Sequence, residues 1–168
     1  MQDLHGYFIE DIDAGMSDSY GKTVTEADIV AFAGVSGDTN PVHLNEEFAK
    51  DTLFKGRIAH GMLAASFLST VLGTRLPGPG CIYMSQSLNF RAPVKAGDTV
   101  RARVTVMDVN REKRRITVET VCLVGETVVV DGEAKLMVDS REDARATPAT
   151  EGGAVPPTAS AGHSRAAE

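Results

Sequence analysis

The sequence predicts an α+β domain in which a curved antiparallel sheet wraps one long central helix, two copies pairing as a homodimer. Three observations point there. From Gly61 to Leu72 the apolar residues, among them Leu63, Ala64, Phe67, Leu68 and Val71, run almost all the way round a helical wheel, so this helix is buried on most sides. Past Gly80 the pattern changes to alternation, as in Val100, Ala102, Val104 and Val106. The connections between the alternating runs, "NREKRR" and "VGET", are short enough to join antiparallel neighbours. A lone sheet wrapped on a helix leaves unpaired edge strands, which a second copy would cover.

The elements follow in order. Thr25, with Glu26, Ala27 and Asp28 behind it, has the form of an N-cap with an acid at the third position, opening a short helix with Ile29, Phe32 and Ala33 inside. The stretch from Gly34 to Pro41 is expected to end it. Asn45 before Glu46 and Glu47 starts another short helix. After the buried helix and the Gly78–Gly80 turn, Ile82, Met84, Leu88 and Phe90 alternate imperfectly ahead of a "PVKAGD" turn. Ile116, Val118, Thr120, Cys122 and Val124 alternate cleanly. Val128, Val130, Gly132, Ala134, Leu136 and Val138 do so again. One domain is expected over residues 1–139. Residues 140–168, rich in Ala, Pro, Gly, Ser and Thr, bury too little to offset the entropy of ordering them and are expected to form a disordered tail.

At 168 residues the chain is long enough for one sizeable core, and its net charge of −6 argues against a nucleic-acid partner, since phosphate binding needs a basic surface. No apolar run reaches membrane-spanning length, and "MQDLHGYFIEDIDAG" lacks the basic and apolar regions of a signal peptide, so a cytoplasmic location away from the membrane is expected. Cys81 and Cys122 are expected to act as small buried apolar residues rather than as a disulfide. His5, His43, His60 and His163 show no metal-ligand spacing, and no metal or cofactor is expected.

The chemistry concentrates in "FAGVSGDTNPVHLNEEFA", residues 32–49. By itself "SGDTNPVH" fits a loop in which Asp38 and Asn40 are turn and cap residues. It also places an acid and an imidazole five positions apart around Pro41, which pushes Asn40 out of the helical region and stiffens the loop. A rigid loop aiming Asp38 and His43 into one cleft is what general acid–base chemistry needs. A second feature is "RIAHGM": His60 and Gly61 open the buried helix, where free backbone N–H groups and the positive helix end face outward, and glycine admits a ligand atom closely. That suits either a plain helix start or an oxyanion site.

Together with "AHGMLAASFLSTVLGTRLPGPG" and "YMSQSLNFRAPVKAGD", the loop resembles the signature of the MaoC-like, R-specific enoyl-CoA hydratases of the hot dog fold, over about Leu4 to Asp139. The resemblance implies a homodimer with sites at its interface, a trans-2-enoyl-CoA substrate, catalytic roles for Asp38 and His43, and a carbonyl-binding amide at Gly61. It further implies that Asn40 and Ser69 line the substrate site, with Leu72 beside Ser69 on the acyl tunnel; His60 matches the family's usual His-Gly pair and is taken as structural. Coenzyme A enters as part of the substrate, its phosphates met by Arg91, Lys95 and the "REKRR" turn. Short acyl chains such as crotonyl are expected. The competing readings are a hot dog thioesterase, whose usual carboxylate is missing from Gly61 to Leu72, an acyl-carrier-protein dehydratase, whose usual histidine-then-Pro-Gly helix start and helix glutamate are absent, and a non-catalytic acyl-CoA-binding protein, which would not require Asp38, Asn40 and His43 together.

Overall fold

The computed structural model describes residues 4–146. Its strands are β1 (Ser17–Thr23), β2 (Ile82–Phe90), β3 (Thr99–Asn110), β4 (Arg115–Val124) and β5 (Thr127–Met137), and its helices are α1 (Glu26–Ser36), α2 (Pro41–Leu44), α3 (Glu46–Ala49), α4 (Gly61–Thr74) and α5 (Arg141–Ala146). The five strands make one sheet in the order β1-β3-β4-β5-β2, every pair antiparallel. Leu68, Val71 and Leu72 of α4 join Val100, Val104, Val118 and Leu136 of the sheet in a single apolar core. The expected helix wrapped by a curved antiparallel sheet is therefore present. One stripe of α4 stays uncovered: Met62, Ser66, Ser69 and Gly73, at helical spacing, are exposed.

Several details differ from the expectation. β1, "SDSYGKT", carries no apolar alternation because it is an edge strand bonded only to β3, so it escapes a hydrophobicity reading. A bulge between Tyr83 and Ser85 interrupts the alternation of β2, whose Ile82, Tyr83 and Met84 are all exposed. A second irregularity, where Cys122 pairs with Val130 but Leu123 pairs with Val128, leaves Val129 as the extra residue. Val129 is then buried and Val128, expected inside, is exposed. α1 runs through Gly34 to Ser36 and ends at Gly37, whose φ of 77° is the left-handed closure that glycine makes without strain. The segment expected as a tail begins with α5, where Arg141 pairs with Asp11 and lies over the Phe8 ring. His163 and the rest of that segment fall outside the described residues.

Both thiols are free; Cys122 is buried and Cys81 half-buried, and each Sγ lies 3.4 Å from a carbonyl of α4, Ala64 for Cys122 and Leu72 for Cys81. Burial pushes the Cys122 thiol up to about 12, so it is not a nucleophile at neutral pH. β2 forms the other edge of the sheet, and its Ile82, Tyr83, Met84 and Phe90 are exposed.

Candidate active site

The loop after α1 is shaped by its own side chains. Asp38 N–H donates to Ser36 Oγ, Asn40 N–H to Asp38 Oδ1 and Val42 N–H to Asn40 Oδ1, each at 3.2 Å. Asn40 is extended, as Pro41 requires, but Pro41 then opens the single turn of α2 instead of prolonging the loop. Asn40 thus serves as the N-cap of that turn. The turn carries His43 inward until it is 8% exposed, while the Asp38 side chain stays about half exposed.

His43 Nδ1 lies 2.8 Å from the Ile58 carbonyl. A carbonyl only accepts, so Nδ1 holds the proton and Nε2 of the neutral ring carries a lone pair. That Nε2 is 4.0 Å from Asp38 Oδ2, too far for a hydrogen bond. One water about 2.8 Å from each atom fits as a bridge across this gap. Behind the pair lies His60, 2% exposed, its ring stacked on His43 with centroids 3.8 Å apart.

Gly61 is the first residue of α4, and among the described residues no side chain caps that end, so its leading amides remain available to a ligand. A Cβ on Gly61 would meet the Phe90 ring at 2.7 Å, which shows how closely the ring overlies this backbone. Asp38, His43, Gly61, Met62, Phe90 and Arg91 all line one cleft of about 480 Å³ whose other walls are mainly apolar, Phe54 and Val129 among them. An acid, a basic nitrogen and a helix N-terminus therefore converge on a single space. Neither Phe90 nor Phe54 carried any signal in the sequence beyond being apolar.

The other expected residues are placed differently. Ser69 is exposed on the open stripe of α4 and lines a second groove with Phe32, Met62, Tyr83, Gln86 and Leu88, adjoining the first cleft at Met62. Leu72 is 1% exposed inside the apolar core and lines neither space, because it projects from α4 toward the sheet. Arg91 edges the cleft with its fork on Asp131, Nε to Oδ2 at 2.7 Å and Nη2 to Oδ1 at 3.2 Å. This guanidinium, with Asn89 as a second donor, holds the Asp131 carboxyl below its usual range. Lys95 is exposed outside the cleft. The "REKRR" turn is at the far end of the sheet: Arg115 pairs with Met137, whereas Phe90 pairs with Val130, seven residues or roughly 24 Å away along β5. Within one protomer it cannot serve the same ligand end as Arg91.

Asp38, His43 and His60 each bring one potential metal-ligand atom within 4.8 Å of the others. Two of their four ring nitrogens, His43 Nδ1 and His60 Nε2, are committed to carbonyls.

The MaoC like domain family matches residues 8–129. The chain belongs to that family. This MaoC-like chain is 57% identical over 139 residues to the (R)-specific enoyl-CoA hydratase of Rhodospirillum rubrum, a match covering 83% of the chain and 96% of the relative. It is 46% identical over 144 residues to the 3-hydroxybutyryl-CoA dehydratase of Methylorubrum extorquens, covering 86% and 92%. Among solved structures it superposes on the (R)-hydratase from A. caviae involved in PHA biosynthesis with a TM-score of 0.74 and 40% identity, over 77% of this chain and 98% of that one. The fold is the hot dog fold of the MaoC-like proteins.

Proposed function

We propose that this MaoC-like chain is an (R)-specific trans-2-enoyl-CoA hydratase, a hydro-lyase that also runs in reverse as an (R)-3-hydroxyacyl-CoA dehydratase, with short chains such as crotonyl-CoA preferred. The observation that carries the reading is the 4.0 Å gap between Asp38 Oδ2 and His43 Nε2, with the tautomer of His43 set by Ile58. The names of the relatives agree with it.

Hydration places a hydroxyl on the β-carbon and a proton on the α-carbon of the thioester. Asp38 Oδ2 and His43 Nε2 each accept one hydrogen of the bridging water, and its oxygen lone pair faces the β-carbon. As the C–O bond forms, the water gives one proton to the pair and the double-bond electrons shift toward the thioester oxygen. The Gly61 N–H, at the positive end of α4, stabilises that developing charge, and such a donor is typically worth about 10² to 10³ in rate. The pair then returns a proton to the α-carbon on the same face, and the double-bond electrons settle as the new C–H bond. Atoms and charge balance without a cofactor. Asp38 and His43 act as one coupled unit.

Coenzyme A extends past the cleft rim, where Arg91 stands with its guanidinium already engaged by Asp131. A second copy seats on the edge formed by β2, whose exposed Ile82, Tyr83, Met84 and Phe90 make an apolar patch beside the open α4 stripe of Met62, Ser66, Ser69 and Gly73. This would close the groove containing Ser69 into an acyl channel. Among the described residues no helix is long and apolar enough to cross a membrane. Loss of the conjugated enoyl thioester absorbance on mixing with crotonyl-CoA tests the activity; release of free coenzyme A would make the chain a thioesterase instead.

A further inference from the structure

His60 is read from sequence as structural, yet its bonding ties together the two halves of the proposed site. Its Nε2 lies 2.9 Å from the main-chain carbonyl of Asp38, so Nε2 holds the proton and donates it. Nδ1 then carries the lone pair, and it is buried without a hydrogen-bond partner among the described residues. One face of the ring stacks on His43, and the Phe32 ring packs at 5.0 Å.

Asp38 needs such a tie. Its side chain is about half exposed, its loop starts at the left-handed Gly37, and the loop's other hydrogen bonds are to its own neighbours. Among the described residues the bond from His60 anchors Asp38 to the start of α4, and His60 immediately precedes Gly61. The substrate's β-carbon and thioester oxygen are a fixed distance apart, so the water-holding end and the oxyanion end must keep their spacing. An error of about 1 Å in such spacing is enough to cost about 10² in rate.

We propose that His60 is a positioning residue for this reaction: its Nε2–H holds the Asp38 main chain at a set distance from the Gly61 amide. The proposal rests on the hydratase reading given above. His60→Phe keeps the stacked ring and removes the donor. His60→Gln keeps an N–H near the position of Nε2 and removes the ring. With crotonyl-CoA, His60→Phe is expected to lower kcat by about tenfold or more while KM moves by less than about threefold, and His60→Gln to recover most of that loss. A structural role would show as reduced thermal stability with kcat nearly unchanged in His60→Phe. Wild-type kcat in a folded His60→Phe, or equal losses in the two variants, overturns the proposal.

The tautomer is measured independently of activity, on the unmodified protein, by long-range proton–nitrogen NMR of isotope-labelled histidine. His60 is expected to be protonated on Nε2 and His43 on Nδ1. A His60 proton on Nδ1 overturns the tie even if His60→Phe fails to fold. Should the wild type leave crotonyl-CoA untouched, the hydratase reading falls, while the NMR result still decides whether His60 holds Asp38.

Discussion

His43 donates its Nδ1–H to the Ile58 carbonyl at 2.8 Å and thereby turns a bare Nε2 toward Asp38. Residues 15 positions apart are joined by this bond, so the folded backbone, not the loop alone, selects the tautomer. His43→Ala removes the accepting nitrogen and is expected to reduce turnover of crotonyl-CoA by about 10² or more, with circular dichroism unchanged. Near-normal turnover in the folded variant would take His43 out of the chemistry.

Gly61→Ala sets a methyl against the Phe90 ring, 2.7 Å from where Cβ would be. The atoms met belong to a side chain rather than to backbone, so the unfolding temperature should change little while turnover falls about tenfold or more. Adding Phe90→Ala should restore part of the lost rate. If turnover survives Gly61→Ala intact, the oxyanion donor has been misplaced.

Gly132 presents a contrasting case. A Cβ there would lie 1.8 Å from the Ser87 carbonyl oxygen, on backbone that cannot yield without separating β2 from β5. Gly132→Ala is expected to cost about 3 kcal/mol or more in denaturant unfolding. Light scattering should also show loss of the dimer, since β2 is the edge proposed to carry it.

The start of α1 gives a pH test. Thr25 and Asp28 form a reciprocal capping box, and the Thr25 backbone N–H, helped by its hydroxyl, holds the Asp28 carboxyl below its ordinary 3.8. A carboxyl depressed on folding contributes stability that is complete above its unfolded value and lost as pH falls through its folded one. Asp28→Asn should therefore be less stable than wild type at neutral pH, the gap narrowing as pH drops below about 4. Thr25→Ala should cost about 1 kcal/mol at pH 7.

How much of this was legible in the sequence varied with the kind of signal. Burial periodicity identified α4, β3 and β4 because Val100 to Val106 and Ile116 to Cys122 each present one face to the core. It misplaced Val128 because a bulge moves the phase of alternation by one residue and leaves no local trace. It missed β1, whose strand identity comes from pairing with β3 and not from hydrophobicity. In the site, Asp38, His43 and Gly61 were legible as residue types, and the structure brings all three to one cleft. The Ile58 carbonyl and the bond from His60 were not, because main-chain acceptors carry no side-chain signature. Ser69 and Leu72, three apart on α4, face different ways: one lies on the open stripe and the other is in the core. The turn at Arg111–Arg115 looked available until register placed it at the opposite end of the sheet.

The central claim is that Asp38 and His43 together activate a water for addition to an enoyl thioester. The most direct test compares wild type with Asp38→Asn on crotonyl-CoA and resolves the product by chiral 3-hydroxyacyl analysis. The result predicted is (R)-3-hydroxybutyryl-CoA from wild type and at least about a 10²-fold loss in a folded Asp38→Asn. Formation of the (S) product, or full turnover by Asp38→Asn, would contradict it.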